Sequence, residues 1–317
     1  MTTGQGDERM NAGAQRASYS GLVTFMRQPA LREADIMAAD FSGLDVVISG
    51  VPFDVATTNR PGARFGPRAI REQSLQLAWG PIWPWGFDPF ARLKVADAGD
   101  VPFDWGQPHE MAENLQRHIA RVAAAGALPL TFGGDHYCTL PVLRALHAVH
   151  GPLALIHFDA HRDVEQGAGE GRIDHGIVFS EALREGLIEE AACVQIGIRT
   201  AYPGESGADM TVIDAARCHA MSARQIAAKI RDVVGTRAVY LTFDIDCLDP
   251  AFAPGTGTPV PGGLSTHQAR AILWQLTGLN FVGFDIMEVA PPYDAGDITA
   301  LAAATLAVDF CCLLAAR

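Results

Sequence analysis

Residues 155–163 read Leu155-Ile156-His157-Phe158-Asp159-Ala160-His161-Arg162-Asp163, and the predicted fold is organised around this stretch. The apolar run 152–158 predicts a buried strand, which ends in the pattern Asp-x-His-x-Asp. Side chains alternate between the faces of an extended chain, so Asp159, His161 and Asp163 can point the same way. Two carboxylates and an imidazole on one face favour a divalent metal ion. The alternative is a strand end with solvated polar residues, because short motifs often occur without function.

The composition is that of an ordinary globular protein. The chain has 317 residues, 49% of them hydrophobic and 19% charged, which is enough to bury a large core. The formal net charge is −12 and no lysine or arginine run stands out, which argues against nucleic acid and anionic membranes as partners. The same charge is compatible with a cationic substrate. The six cysteines form no Cys-x-x-Cys pair, so we interpret them as reduced core thiols.

The two ends of the chain lead to separate predictions. Residues 1–20 are polar and lack periodicity, which predicts a disordered tail, and residues 21–317 are predicted to form a single domain. Residues 1–20 also lack the apolar core of a secretory signal, so the cytoplasm is the predicted location. Residues 298–316 are very apolar, but Asp309 interrupts them, which favours a core helix over a membrane span.

Predicted strands and helices alternate over most of the chain. The runs that predict strands are 44–50, 127–132, 152–158, 193–198, 211–213, 238–243 and 281–286. Helical patterns lie between them, among others at 67–77, 109–125 and 222–234. This alternation predicts an α/β protein of three α-β-α layers, with a mostly parallel central sheet.

Residues 78–106 show neither pattern and are predicted to be a long irregular loop. The loop contains four of the five tryptophans, Trp79, Trp83, Trp85 and Trp105. We interpret them as packing the loop onto the domain rather than as an aromatic wall for a ligand, since aromatic side chains mostly serve burial.

Acidic and imidazole side chains follow four of the predicted strands. They are His136; Asp159, His161 and Asp163; Asp244 and Asp246; and Glu288. The carboxyl ends of parallel strands lie along one edge of a sheet, where α/β proteins bind ligands. Four carboxylates and two histidines are enough to hold two divalent ions, and without cations the carboxylates would repel each other strongly. These ligand types favour manganese or a similar ion, which can activate a shared water.

Three motifs occur in the order and context of one enzyme family. They are Gly133-Gly134-Asp135-His136, Asp159-Ala160-His161-Arg162-Asp163 and Phe243-Asp244-Ile245-Asp246-Cys247-Leu248-Asp249-Pro250. With the loop 254–263 and the segment 287–294, they resemble the ureohydrolase family of arginases and agmatinases over roughly residues 40–317. The stretches 240–259 and 297–306 are most similar to bacterial agmatinases.

The resemblance implies an arginase-like fold and two manganese ions per subunit. One ion would bind to His136, Asp159, Asp163 and Asp244. The other would bind to Asp159, His161, Asp244 and Asp246, so that Asp159 and Asp244 bridge the two ions. The family also implies a homo-oligomer, either a trimer or a hexamer.

The resemblance also implies catalytic roles. A hydroxide that bridges the metal ions would attack the guanidinium carbon of a small-molecule substrate. Asp163 would orient this hydroxide and relay its proton to the leaving amine, and His175 would exchange protons with solvent. Glu288 would bind the planar guanidinium through paired hydrogen bonds.

The identity of the substrate tail is left open. Agmatine, which would give urea and putrescine, is the first choice, because Glu165 or Glu170 in the loop 164–173 can meet its distal ammonium. Arg162 stands where the family commonly has a small residue. With Arg172, it could instead bind the carboxylate of 4-guanidinobutyrate. These charged side chains could also be solvated loop residues.

Two other protein classes are weighed against a ureohydrolase. A catalytically inactive metal-binding scaffold would be favoured if a metal ligand, His175 or Glu288 were missing, but none is. A mononuclear deacetylase-like hydrolase would share the sheet and some of the ligands. The pair Asp244 and Asp246, together with His136, argues against it.

Overall fold

Eight strands form the central sheet in a computed structural model that describes residues 17–31, 40–166, 171–201 and 209–317. The strands are β1 Val46–Val51, β2 Val95–Asp100, β3 Leu128–Gly133, β4 Leu153–Phe158, β5 Ile188–Ile196, β6 Thr211–Ile213, β7 Val239–Asp244 and β8 Phe281–Met287. Their order across the sheet is β2-β1-β3-β8-β7-β4-β5-β6, and every pair of neighbours is parallel. The predicted α/β fold with a mostly parallel sheet is confirmed.

Helices cover both faces of this sheet. They are α1 Gly66–Ser74, α2 His109–Ala124, α3 Thr139–His150, α4 Val178–Arg184, α5 Ala215–Ala220, α6 Ala223–Val234, α7 Thr266–Leu273 and α8 Ile298–Ala315. Helices α1, α6, α7 and α8 contribute to one core, and α2, α3 and α4 contribute to the other. Alternate side chains of β4 divide in the same way: Ile156 and Phe158 join the first core, and Leu153 and Leu155 join the second. The three layers follow from this alternation.

Local sequence signals determine several helix ends. Ser222 and Ser265 cap α6 and α7, and each forms a capping box with the glutamine three residues later. Pro67 lies in the first turn of α1, where its missing N–H leaves no helical hydrogen bond unmade. The predicted helices that begin at about residues 67 and 222 are therefore confirmed.

Helix α8 packs inside the protein. By length and composition it could cross a membrane, but 83% of its apolar window is buried, as in the core helix of a globular protein. The buried Asp309 accepts hydrogen bonds from Arg270 Nε at 2.6 Å and from the indole nitrogens of Trp85 and Trp274 at 2.8 Å and 3.2 Å. These donors compensate its burial, and the predicted core helix is confirmed. All six cysteines are likewise free and buried.

The prediction that residues 78–106 form an irregular loop was wrong for β2. Its acidic residues Asp97 and Asp100 obscure the strand pattern in the sequence. Arg71 of α1 compensates both charges: its Nε and Nη2 lie 2.9 Å and 3.0 Å from the two carboxylate oxygens of Asp97, and its Nη1 lies 2.6 Å from Asp100. The strand therefore depends on a contact with a helix 26 positions away.

The tryptophans of this region differ in their burial. Trp85 is half-buried and donates to Asp309, as the packing interpretation requires. Trp79, Trp83 and Trp105 are 55%, 68% and 89% exposed, so burial does not explain them. The short helix α5 and residues 188–192 of β5 are two further elements that the sequence patterns did not predict.

We expect Arg71→Met to lower the free energy of unfolding by about 3 kcal/mol, because it leaves the buried Asp97 without its charge partner. The matched control is Arg68→Met in the same helix. Its exposed pair with Glu72 should contribute less than about 1 kcal/mol. Urea unfolding at a fixed protein concentration measures both variants. Equal small effects would contradict this account of β2.

A second expectation concerns His118 of α2, whose Nε2 lies 2.8 Å from the Ser49 hydroxyl of β1. Burial, with a smaller effect from the charge of Arg121, lowers the pKa of His118 from 6.5 to about 4. Between these pH values the unfolded chain binds a proton at this site and the folded protein does not. The stability that neutral His118 contributes is therefore present above pH 6.5 and is lost as the pH falls toward 4.

We expect the unfolding free energy of His118→Gln to fall less than that of the wild type between about pH 7 and about pH 5. Urea unfolding of both proteins, in the presence of a chelator at both pH values, measures the difference. Identical pH dependences would show that His118 titrates alike in the folded and unfolded chains.

Candidate active site

The predicted site residues converge at the carboxyl ends of four neighbouring strands. Strands β3, β8, β7 and β4 lie side by side in the middle of the sheet. The residues at their ends are His136 after β3; Glu288 after β8; Asp244 and Asp246 at and after β7; and Asp159, His161 and Asp163 after β4. The structure therefore brings all the predicted metal ligands to one edge.

Three carboxylates surround one ring nitrogen of His136. The distances from His136 Nδ1 are 3.1 Å to Asp159 Oδ2, 3.1 Å to Asp163 Oδ2 and 3.2 Å to Asp244 Oδ2. The other ring nitrogen, Nε2, lies 2.9 Å from the Thr242 hydroxyl, which in turn bonds to Asp285. With the ring proton on Nε2, where the hydroxyl can accept it, Nδ1 presents a lone pair to the carboxylates.

This arrangement fits a bound cation. Within the part of the chain that the structure describes, His136 Nδ1 is buried and has no hydrogen-bond partner. A lone pair that faces three carboxylate oxygens is repelled unless a positive charge lies among them. Imidazole nitrogen and carboxylate oxygen are both ligands of manganese-type ions. The residues present therefore fit a metal ion at this position.

A second group of ligands shares Asp159 with the first. His161 Nδ1 lies 3.3 Å from Asp159 Oδ1 and 3.1 Å from Asp246 Oδ2. Asp159 thus turns one oxygen toward each group, as a bridging ligand does. Asp244 approaches His136 in the first group, and its bridging role stays a prediction.

Backbone N–H groups hold one oxygen of each central carboxylate. The N–H of His161 donates to Asp159 Oδ1 at 2.6 Å, that of Ala160 donates to Asp246 Oδ1 at 3.0 Å, and that of Asp246 donates to Asp244 Oδ1 at 2.8 Å. Burial, together with the charges of Asp246 and Asp159, raises the pKa of Asp244 well above its usual value. The ligands are therefore preorganised, and their charges are not balanced by the protein alone.

The glycine pair before His136 is required by space. A Cβ at Gly133 would lie 1.9 Å from the Met287 sulfur, and a Cβ at Gly134 would lie 2.3 Å from the carbonyl oxygen of Phe53. The next residue, Asp135, is fully buried and accepts a hydrogen bond from the N–H of Ala56 at 2.7 Å. The turn is thus packed tightly against the neighbouring loop.

Glu288 and His175 form a buried pair beside the metal-ligand cluster. Glu288 Oε1 accepts from the N–H of His136 at 3.0 Å and lies 2.8 Å from His175 Nδ1. His175 Nε2 lies 2.8 Å from the Thr58 hydroxyl. Burial alone would lower the pKa of His175, but the hydrogen bond to Glu288 and the charges of Glu288, Asp163 and Asp135 raise it to about 9. The bond to Glu288 therefore favours the protonated form of His175.

The second carboxylate oxygen of Glu288 is the atom that remains for a ligand. Among the described residues, Glu288 Oε2 is buried and has no hydrogen-bond partner. It lies 3.5 Å from the position that a Cβ at Gly257 would take, so a side chain there would approach it. The paired hydrogen bonds to a guanidinium stay a prediction, and Oε1 already contacts the His136 N–H and the His175 ring.

A cavity of about 270 Å³ opens over these residues. The titratable side chains that line it are His161, Asp163, Glu165, Asp174, His175 and Asp244. No arginine or lysine is among its lining residues within the described ranges. Burial, and then the charges of Asp174 and Asp163, raise the pKa of Glu165. The cavity thus has an acidic lining, which suits a cationic ligand.

The two arginines predicted to bind a substrate carboxylate have other contacts. Arg162 Nε donates to Gln195 Oε1 at 3.0 Å, and Arg172 Nε donates to Asp174 Oδ2 at 2.9 Å. Neither lines the cavity. Glu165 does line it, whereas Glu170 and most of the predicted tail 1–20 lie outside the described residues.

A profile described as the arginase family matches residues 44–312 of the sequence. The chain belongs to the arginase family. The agmatinase of Edwardsiella ictaluri (strain 93-146) is 52% identical over 300 residues, which cover 94% of this chain and 95% of that protein. The predicted resemblance to ureohydrolases, and to bacterial agmatinases among them, is confirmed.

Solved structures agree with this family membership. A crystal structure described as a hypothetical agmatinase from Burkholderia thailandensis has a TM-score of 0.89 at 49% identity, and the match covers 94% of this chain and 92% of that chain. The proclavaminate amidino hydrolase from Streptomyces clavuligerus has a TM-score of 0.85 at 40% identity, with 95% of this chain and 99% of that chain covered. The arginase-like fold is confirmed.

Sequence reasoning missed two residues of this arginase-family site. Thr58 holds His175, and His157 lies 2.7 Å from Asp159 Oδ2. The sequence did contain a signal for His157, because a polar histidine stands out among the apolar residues of a buried strand. Nothing in the loop around Thr58 distinguishes it from its neighbours Thr57 and Asn59.

We expect manganese to raise the thermal unfolding midpoint of the wild type and a chelator to lower it, because the ion binds only the folded cluster. Asp244→Asn should lose most of this increase. Without metal the variant should be at least as stable as the wild type, since it removes one of several buried, mutually repelling charges.

Thermal unfolding with and without manganese measures these effects, and Asp232→Asn on the exposed side of α6 is the control. An Asp244→Asn variant that responds to manganese as the wild type does would exclude this ligand role. So would a variant that is destabilised equally with and without the ion.

Proposed function

We propose that the protein is a manganese-dependent agmatinase, which hydrolyses the guanidino group of agmatine to urea and putrescine. Membership of the arginase family and the 52% identity to a relative named agmatinase support a hydrolase of guanidino compounds. The observation that carries the choice of agmatine is the acidic lining of the cavity over the metal-ligand cluster. This proposal places the protein in polyamine synthesis.

Two metal ions would be held by the ligands already described. His136, Asp159, Asp163 and Asp244 would hold one ion, and Asp159, His161, Asp244 and Asp246 the other. When bound, the ions would supply a hydroxide at neutral pH, which is the strong nucleophile that a resonance-stabilised guanidinium requires. Asp159 belongs to both groups of ligands, which supports two metal ions rather than one.

Glu288 would orient the guanidinium. Its unpartnered Oε2 is a buried anionic acceptor, and a guanidinium N–H can donate to it in a charge-assisted hydrogen bond. Because Oε1 is held by His136 and His175, the orientation of Oε2 is fixed before the substrate binds. Such preorganisation keeps the guanidinium carbon in place for attack.

His175 and Asp163 would move the protons. The amine is a poor leaving group until it is protonated, so a proton donor is needed beside it. His175 lines the cavity, and its hydrogen bond to Glu288 raises its pKa, which favours the protonated form. Asp163 lies in both the cavity wall and the ligand cluster, where it can orient the nucleophile and accept its proton.

Glu165 would bind the distal ammonium of agmatine. It lies in the cavity wall, whereas Arg162 and Arg172 bond to Gln195 and Asp174. The carboxylate of 4-guanidinobutyrate, the alternative substrate, would therefore meet acidic side chains instead of the predicted arginines. The cytoplasmic location, the single domain over residues 21–317 and the trimer or hexamer stay predictions.

We expect manganese-loaded protein to release urea from agmatine in preference to 4-guanidinobutyrate and arginine. Glu165→Gln should raise the KM for agmatine about tenfold with little change in kcat, because an ion pair to the substrate tail stabilises ground and transition states alike. Glu113→Gln on the exposed face of α2 is the matched control. Steady-state assays of urea release measure all of these rates.

Other results would redirect the assignment. Preference for 4-guanidinobutyrate would replace agmatine by the alternative substrate. Urea from none of the three, with two metal ions bound, would exclude the agmatinase and favour another guanidino compound or an inactive scaffold. One bound ion per subunit would favour a mononuclear hydrolase.

A further inference from the structure

We propose that Arg162, Gln195 and His157 form a relay that holds the proton of His157 on Nε2 and so positions Asp159. The relay runs through the buried side of β4 and β5, where His157 and Gln195 are paired in register and fully buried. None of the three residues lines the cavity. They are positioning residues, and their role rests on the proposed function only in that Asp159 is a metal ligand.

Arg162 determines the orientation of the Gln195 amide. A guanidinium can only donate hydrogen bonds, and Arg162 Nε donates to a Gln195 amide atom at 3.0 Å. That atom must therefore be the amide oxygen. The Gln195 amide nitrogen is then turned the other way, where it donates to the carbonyl oxygen of Arg162 at 2.7 Å. Both bonds to one residue exclude the flipped amide.

The oriented amide then determines the tautomer of His157. Gln195 Nε2 lies 3.1 Å from His157 Nδ1, and an amide nitrogen can only donate. His157 Nδ1 must accept this bond, so the ring proton lies on Nε2. From there it donates to Asp159 Oδ2 at 2.7 Å. Packing of the ring on Phe179, with centroids 4.3 Å apart, keeps it in this plane.

Asp159 is held on both oxygens as a result. The N–H of His161 donates to Oδ1, and His157 donates to Oδ2, which is the oxygen that faces His136 Nδ1. Each oxygen keeps a further lone pair for a metal ion. Outer hydrogen bonds of this kind orient metal ligands, and their loss typically weakens metal binding about 10–100-fold. The relay thus makes the shared ligand rigid before metal binds.

This relay also explains the arginine at position 162. A small residue there could not reach Gln195, and the amide would be held only by its bond to the backbone carbonyl of residue 162. If this less firmly held amide turned its oxygen toward His157, the ring proton would shift to Nδ1, and a lone pair on Nε2 would face the Asp159 carboxylate. The Nε atom of Arg162 is therefore directed at Gln195 of the neighbouring strand β5.

Neutron diffraction of the deuterated, manganese-loaded protein tests the tautomer directly. We expect deuterium on His157 Nε2 and none on Nδ1 in the wild type. In Gln195→Glu, whose carboxylate can only accept, we expect deuterium on Nδ1. A wild-type His157 that carries deuterium on Nδ1 would overturn the relay. This result does not depend on catalysis, so it is separate from any failure of the proposed substrate.

Calorimetric titration with manganese tests the role of Arg162. Arg162→Met should weaken manganese binding about tenfold. Arg162→Lys retains a donor-only cation and should stay within about threefold of the wild type. Arg237→Met, which removes an exposed pair with Glu189, is the control and should bind manganese unchanged. Wild-type affinity in Arg162→Met, or equal losses in the Met and Lys variants, would contradict the relay.

Discussion

The burial of several carboxylates at one edge of the sheet is the constraint on which the site depends. Asp159, Asp244 and Asp246 are each at most 3% exposed, and a buried carboxylate is costly unless hydrogen bonds and opposite charges compensate it. Backbone N–H groups bind one oxygen of each. Asp163 and Glu288 even adopt left-handed backbone angles, with φ of 51° and 63°, which is a strain that functional sites typically retain. The charge that remains requires cations.

The order of the strands turns these local features into one site. Strands β3, β8, β7 and β4 are neighbours, although they come third, eighth, seventh and fourth along the chain. The alternation of patterns predicts that their ends share an edge, but it does not predict which strands are adjacent. Adjacency depends on side-chain packing between distant segments. The order of the motifs, through its resemblance to a known family, indicated a shared site that the alternation of strands and helices alone could not predict.

The limits of the sequence reasoning follow from the difference between local patterns and contacts between distant segments. Ligand types and their spacing are local, so the candidate metal ligands could be identified from the predicted strand ends. Strand β2 was missed because Asp97 and Asp100 are compensated by Arg71, a contact between distant segments. Arg162 was considered for the substrate because it stands where the family commonly has a small residue, and its contact Gln195 lies 33 residues away. The sequence near a motif thus does not show in which direction a charged side chain points; the structure does.

The charges of the residues around the cavity explain why the proposed substrate would be selected. Bound metal ions would balance the ligand carboxylates, and Arg172 bonds to Asp174, which leaves Glu165 in the wall and Glu288 behind His175. Agmatine carries two positive charges, one at each end. 4-Guanidinobutyrate carries a carboxylate at its tail, which Glu165 would repel in a partly desolvated cavity. Selection would then come from repulsion of the anionic tail as much as from attraction of the cationic one.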